Sequence, residues 1–150
     1  MNQQELTDLL SIKLRVVRLE RSYSQQKMAD VLGISKKTLI QIEKGRTQAS
    51  WTAVIAVCAL FRDSEVLQAT VGGDPLEVLE TIAHNGIDRP MEQSMGGKVW
   101  WRELEKKGRF RLQQNIISQH FRILDEEHYR WYSSFDEEEA WHRLNELSEK

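Results

Sequence analysis

Residues 24–45 read SQQKMADVLGISKKTLIQIEKG, and the placing of polar, apolar and glycine positions in this stretch decides the fold. Ser24 has the side chain of a helix N-cap, and a helix starting there carries Met28 and Leu32 on its inner face. Ser35 repeats the signal, with Leu39 and Ile42 on the inner face of a second helix. Gly33 stands between the two. A chain turning sharply from one helix into the next needs a residue that adopts positive φ without a Cβ clash, which glycine supplies. Ile34 is placed to plug the angle between the helices, and Ala29 is small where a larger side chain would push their axes apart.

Two short helices joined in this way form a helix-turn-helix, whose second helix enters the major groove of DNA. Over 14–61 the chain resembles the Cro and phage-repressor-like proteins, the XRE family of bacterial transcriptional regulators. The resemblance rests on Leu14-Arg15-x-x-Arg18, on Ser24-Gln25, on Leu32-Gly33-Ile34-Ser35 and on Ile42-Glu43-x-Gly45. It implies an all-α, lambda-repressor-like domain in which Arg18 and Glu43 form a structural ion pair, while Gln25, Lys36, Lys37 and Gln41 take DNA-facing positions. One departure is Ala49, where the family often has proline.

The chemistry of the second helix, over 35–44, is that of base and phosphate readout. Ser35 and the residues after it would enter the groove first. Lys36 and Lys37 can reach guanine O6 and N7 or nearby phosphates, Gln41 can pair with adenine, and Ile40 can touch a thymine methyl. Gln25 would hold a phosphate beside the amides of its helix N-terminus. Lys44 and Arg46 would add backbone contacts.

Charge supports this assignment independently. The net charge is −2, but 13–46 holds nine Lys or Arg (13, 15, 18, 21, 27, 36, 37, 44, 46) against three acids (20, 30, 43), a local +6. Beyond Gly72 eleven basic residues face sixteen acidic ones. The positive charge thus coincides with the motif that would meet phosphates. The 150 residues suit one or two small domains. The longest apolar run, at 51–61, is too short for a bilayer, and the N-terminus lacks a charged-then-apolar signal pattern. With a single cysteine, Cys58, no internal disulfide can form, so a cytoplasmic location is expected and Cys58 reads as a small core residue. His84, His120, His128 and His142 lie on different segments without metal-ligand spacing, and no glycine-rich phosphate loop is present, so neither metal nor cofactor nor catalysis is expected. The acids at 136–139 read as a solvated helix start.

A first helix is expected at 5–20 with Leu6, Leu10, Leu14 and Val17 buried. Ser50 caps a fourth at 51–62, where Val54, Val57, Cys58 and Phe61 complete the core. Its remaining apolar positions, Ala53, Ile55, Ala56, Ala59 and Leu60, need a cover from elsewhere in the chain or from a second subunit. Short helices follow at 64–71 and 75–84, the latter with Asp74 as cap and Pro75 in its first turn. Gly72-Gly73 and Gly96-Gly97 read as linkers or turns. From Lys98 the period changes toward two: 99–104, then Phe110-x-Leu112, then a hairpin of 119–124 and 128–134 around a turn at 125–127. With Leu124 opposite His128, Phe121, Ile123, Tyr129 and Trp131 form a core face, and Arg122 falls opposite Arg130. That juxtaposition asks either for an internal acid, Glu103 or Glu105, or for an external anion, which makes Arg122 and Arg130 candidate anion contacts. A last helix is expected from 137 to 148, with acids at the positive end of its dipole. The fold class is therefore a helix-turn-helix domain at 1–71 followed by a small α+β region with an antiparallel sheet at 72–150.

Two functions fit this layout. The first is a sequence-specific transcriptional repressor binding double-stranded DNA as a homodimer on an inverted repeat. The second is an antitoxin or phage-type accessory protein whose C-terminal half binds a partner protein or an effector. No membrane association is expected of either.

Overall fold

The computed structural model describes residues 1–86 and 100–149. They fall into two compact units, 1–88 and 89–150.

The first unit is helical. α1 (Gln3–Glu20) starts two residues before the expected position, because Asn2 forms a capping box with Glu5. Leu6, Leu10, Leu14 and Val17 line its buried face, one turn apart. α2 (Gln25–Leu32) and α3 (Lys36–Glu43) follow, then α4 (Trp51–Leu60), α5 (Glu65–Val71) and α6 (Pro75–Ala83). Each of these five helices has the side chain of its N-cap, Ser24, Ser35, Ser50, Ser64 or Asp74, accepting a backbone N–H of the first turn. One core joins them, running from Leu6 in α1 through Met28, Leu39 and Phe61 to Leu79 in α6.

The division expected after residue 71 therefore falls inside this unit. α6 packs against α4 and α5, and a bidentate pair from Arg62 to Asp74 fastens its N-cap. α6 is also part of the cover that the apolar α4 called for. Ala53 is buried within the core, whereas Ile55, Ala59 and Leu60 stay exposed. No helix among the described residues is long and apolar enough to cross a membrane.

The described residues of the second unit form a four-stranded antiparallel meander with one helix on it. β1 (Trp101–Lys107), β2 (Phe110–Asn115), β3 (Phe121–Leu124) and β4 (Arg130–Ser134) pair in sequence order, and α7 (Glu137–Ser148) packs on the sheet. Phe110, Leu112, Phe121 and Ile123 form a core with Ala140, Leu144 and Leu147 of α7. β1 extends three residues past the expected 104, and the readings made at 98–99 and for Gly96-Gly97 lie outside the described residues.

The β3–β4 register differs from the expected one. Leu124 faces Arg130 rather than His128, and past a bulge at Trp131, Arg122 faces Ser133 rather than Arg130. The turn is longer than three residues because Asp125 builds it: its carboxylate accepts from the backbone N–H of Glu127 and Tyr129 and from Trp131 Nε1, at 2.9, 3.0 and 2.9 Å. His128 then takes a positive φ of 66°. An odd displacement reverses which side chains face the core. Tyr132 packs there instead, opposite Ile123, while Tyr129 and Trp131 are 66 % and 48 % exposed.

Candidate nucleic-acid interface

The geometry of α2 and α3 follows from their caps. Ser24 Oγ accepts from Lys27 N at 3.0 Å and starts α2. α2 ends at Gly33, whose φ of 72° lets the N–H of Ile34 reach back to the carbonyl of Ala29 at 3.1 Å. Ala29 is fully buried and Ile34 packs on the core, as their sizes required. α3 ends in the same way: Gly45 has φ 72° and Arg46 N donates to Gln41 O at 3.0 Å.

Leu39 and Ile42 turn inward, so the opposite side of α3 faces solvent. Ser35, Lys36, Lys37 and Thr38 are exposed along the first turn, Ile40 and Gln41 are half-buried, and Lys44 and Arg46 are exposed beyond the helix. Gln25 is half-buried at the start of α2. Thus the structure gathers the expected positions on and around one helix.

Arg18 holds that helix against α1. Its Nη2 lies 2.7 Å from Glu43 Oε1, its Nε is 3.0 Å from Oε2, and its Nη1 donates to the carbonyl of Tyr23 at 3.0 Å. The side chains are only 10 % and 4 % exposed. A forked, desolvated pair of this kind fixes orientation as well as distance.

The nine cations of 13–46 divide into two groups. Arg18 is committed to Glu43, and Arg21 pairs with Asp63 while lying over the Phe61 ring. The other seven, Lys13, Arg15, Lys27, Lys36, Lys37, Lys44 and Arg46, are exposed. Lys27 sits over the Tyr23 ring at 5.8 Å. Removing the two structural arginines leaves a surface that is still strongly positive.

Sequence reasoning missed Thr38. Ser35 Oγ accepts from Thr38 N at 3.0 Å and donates to Thr38 Oγ1 at 2.8 Å, so the Ser35 proton is used within the cap. Thr38 itself is exposed, three positions beyond the cap. Only the N-cap geometry reveals its bonds to Ser35.

Residues 9–70 match the family model of a helix-turn-helix domain. The helix-turn-helix is a DNA-binding unit, and the matched span takes in α2 through α4, most of α1 and nearly all of α5. No curated protein and no solved structure matches the chain. The helix-turn-helix match thus leaves α6 and the second unit to be read from their own residues.

In that second unit Arg122 is 7 % exposed. Its Nε donates to Gln113 Oε1 at 2.9 Å and its guanidinium lies 3.7 Å from the centre of the Trp101 ring. Burial, and then the charge of Arg130, lower its pKa. Of the two acids expected beside it, Glu103 lies 3.5 Å from Arg111, and Glu105 pairs with Leu112 across β1 and β2. The histidines are dispersed: His84 ends α6, His120 lies against the Trp101 and Phe135 rings, and His142 pairs with Glu146. Among the described residues no three His, Cys, Asp or Glu side chains are grouped to hold a metal. Cys58 is buried, which pushes its thiol pKa up to about 11 and keeps it protonated.

Proposed function

We propose that this chain is a sequence-specific transcriptional repressor of the Cro and phage-repressor-like kind, binding double-stranded DNA as a symmetric homodimer on an inverted repeat. The observation that carries the reading is the exposed first turn of α3, held at its far end by the desolvated Arg18–Glu43 pair. A recognition helix needs both, since base contacts discriminate only when the backbone carrying them is fixed. Lys36 and Lys37 read guanine O6 and N7 or grip the phosphates beside them. Gln41, one turn on, pairs with adenine, and Ile40 meets a thymine methyl. Ser35 orients the turn, Gln25 binds a phosphate at the start of α2, and Lys44 and Arg46 contact the backbone beyond α3.

The exposed Ile55, Ala59 and Leu60 of α4 supply apolar surface for a second copy. A two-fold dimer places two recognition helices about one DNA turn apart, ~34 Å, which accounts for an inverted repeat. Selection of bound duplexes from a random pool by the purified protein tests the whole reading. A two-fold-symmetric motif is expected. A pool that stays random under selection would exclude sequence-specific binding, and an asymmetric single site would exclude the dimer.

A further inference from the structure

The strand register of the second unit aligns cations that are scattered in sequence. Lys106 faces Arg111 across β1 and β2, Arg111 faces Leu124 across β2 and β3, and Leu124 faces Arg130 across β3 and β4. One row therefore runs Lys106, Arg111, Leu124, Arg130 over all four strands. The next row, Leu112 and Ile123, belongs to the α7 core, so alternation puts the cations on the opposite face of the sheet. Lys106 and Arg130 are exposed, and the Arg111 side chain is 42 % exposed. At ~4.8 Å per strand spacing the row is roughly 14 Å long.

The fold itself gains little from this row. Like charges directly across a strand pair, as at Lys106 and Arg111, are destabilising. Among the described residues, the acid bonded to the row is Glu103, 3.5 Å from Arg111 and itself half-exposed. Of the neighbouring acids, Asp125 is buried and bound to two N–H groups and to Trp131, while Glu126 and Glu127 project from the turn beyond the row. Arg109, at the same end, is stacked on the Phe110 and Trp131 rings.

We propose that the row Lys106, Arg111 and Arg130 is a second polyanion-binding surface whose ligand is the phosphate backbone of duplex DNA. The cations stand along a line on a sheet and do not converge on a point. A single phosphate would engage one of them, whereas a chain of regularly spaced phosphates engages all three. Such contacts add affinity and salt dependence without sequence preference.

The proposal rests on the first unit being a duplex reader, so two variants of the full chain are compared. One is Lys106→Gln/Arg111→Gln/Arg130→Gln and the other is Lys36→Ala/Lys37→Ala. Affinity for a selected and a random duplex is measured against salt concentration. At ~0.9 per phosphate contact, the triple variant should lower the slope of log affinity on log salt by about 2 to 3, keep the ratio of selected to random binding, and melt no lower than the parent. An unchanged slope overturns the row, also if the triple variant loses affinity for an acidic protein instead. If the slope is unchanged while the lysine pair loses discrimination, the row alone fails. If the slope falls while the lysine pair keeps discrimination, the α3 reading alone fails. Should the triple variant unfold, Glu126→Gln/Glu127→Gln leaves the row intact and should raise affinity for random duplex, and an unchanged affinity overturns the proposal.

Discussion

Ser11, in the middle of α1, accepts a 2.9 Å hydrogen bond from the backbone N–H of Ala49, and both residues are buried. The loop that follows α3 is thereby tied to α1, next to the contacts of Gln48 and Gln4 with Asp8. A proline at 49, frequent in the family that the sequence resembles, could not donate this bond. Here the loop is fixed by a side chain in place of a ring.

A mutant cycle follows from that relationship. Ser11→Ala strands a buried N–H and should cost about 1–3 kcal/mol of stability. Adding Ala49→Pro removes the orphaned donor, so the double variant should recover most of the loss. Denaturant midpoints of the parent, the two single variants and the double variant, four proteins, decide it. Losses that simply add would show that the bond does not hold the loop.

Glu43→Ala should cost on the order of 3 kcal/mol, because it leaves the Arg18 guanidinium desolvated and without its carboxylate. Thermal or urea unfolding checks this, and a variant that unfolds with the parent would contradict a stabilising role. The loss should appear without any DNA present, which separates it from a change in DNA contact.

Asp125 gives the second unit a defined response to acid. Hydrogen bonds from Trp131 first, then from the backbone of Tyr129 and Glu127, hold its pKa below the usual aspartate range. A depressed folded-state pKa contributes stability that is complete above the unfolded value, about 3.9, and is lost as pH falls through the folded value. Asp125→Asn should therefore remove part of the pH dependence below about pH 4. It should also shift the indole N–H resonance of Trp131, whose acceptor changes. Identical acid profiles in parent and variant would refute the role of Asp125.

What the sequence made legible was local. Ser24, Gly33 and Ser35 act within a few residues of themselves, so cap and turn chemistry located α2 and α3 and, with them, Lys36 and Lys37. Positions that depend on distant partners were hidden. The Ser11–Ala49 bond spans 38 residues. The face of β4 was misread for a related reason. Asp125 looked like an ordinary turn residue, yet its three hydrogen bonds lengthen the turn and the bulge at Trp131 shifts the register by an odd number. Period-two patterning cannot expose such a shift, because Tyr129, Trp131 and Tyr132 are all aromatic and either alternation offers a plausible core. The burial of Arg122 was equally invisible, since it depends on Trp101 from β1.

The recognition-helix assignment is tested most directly by Lys36→Ala/Lys37→Ala, assayed on a duplex selected by the parent protein. Both side chains are exposed on α3 and make none of its caps, so the melting temperature should be unchanged. Preference for the selected duplex over random DNA should be abolished. Full specific affinity in the double variant, with the fold intact, would contradict the placing of α3 in the major groove.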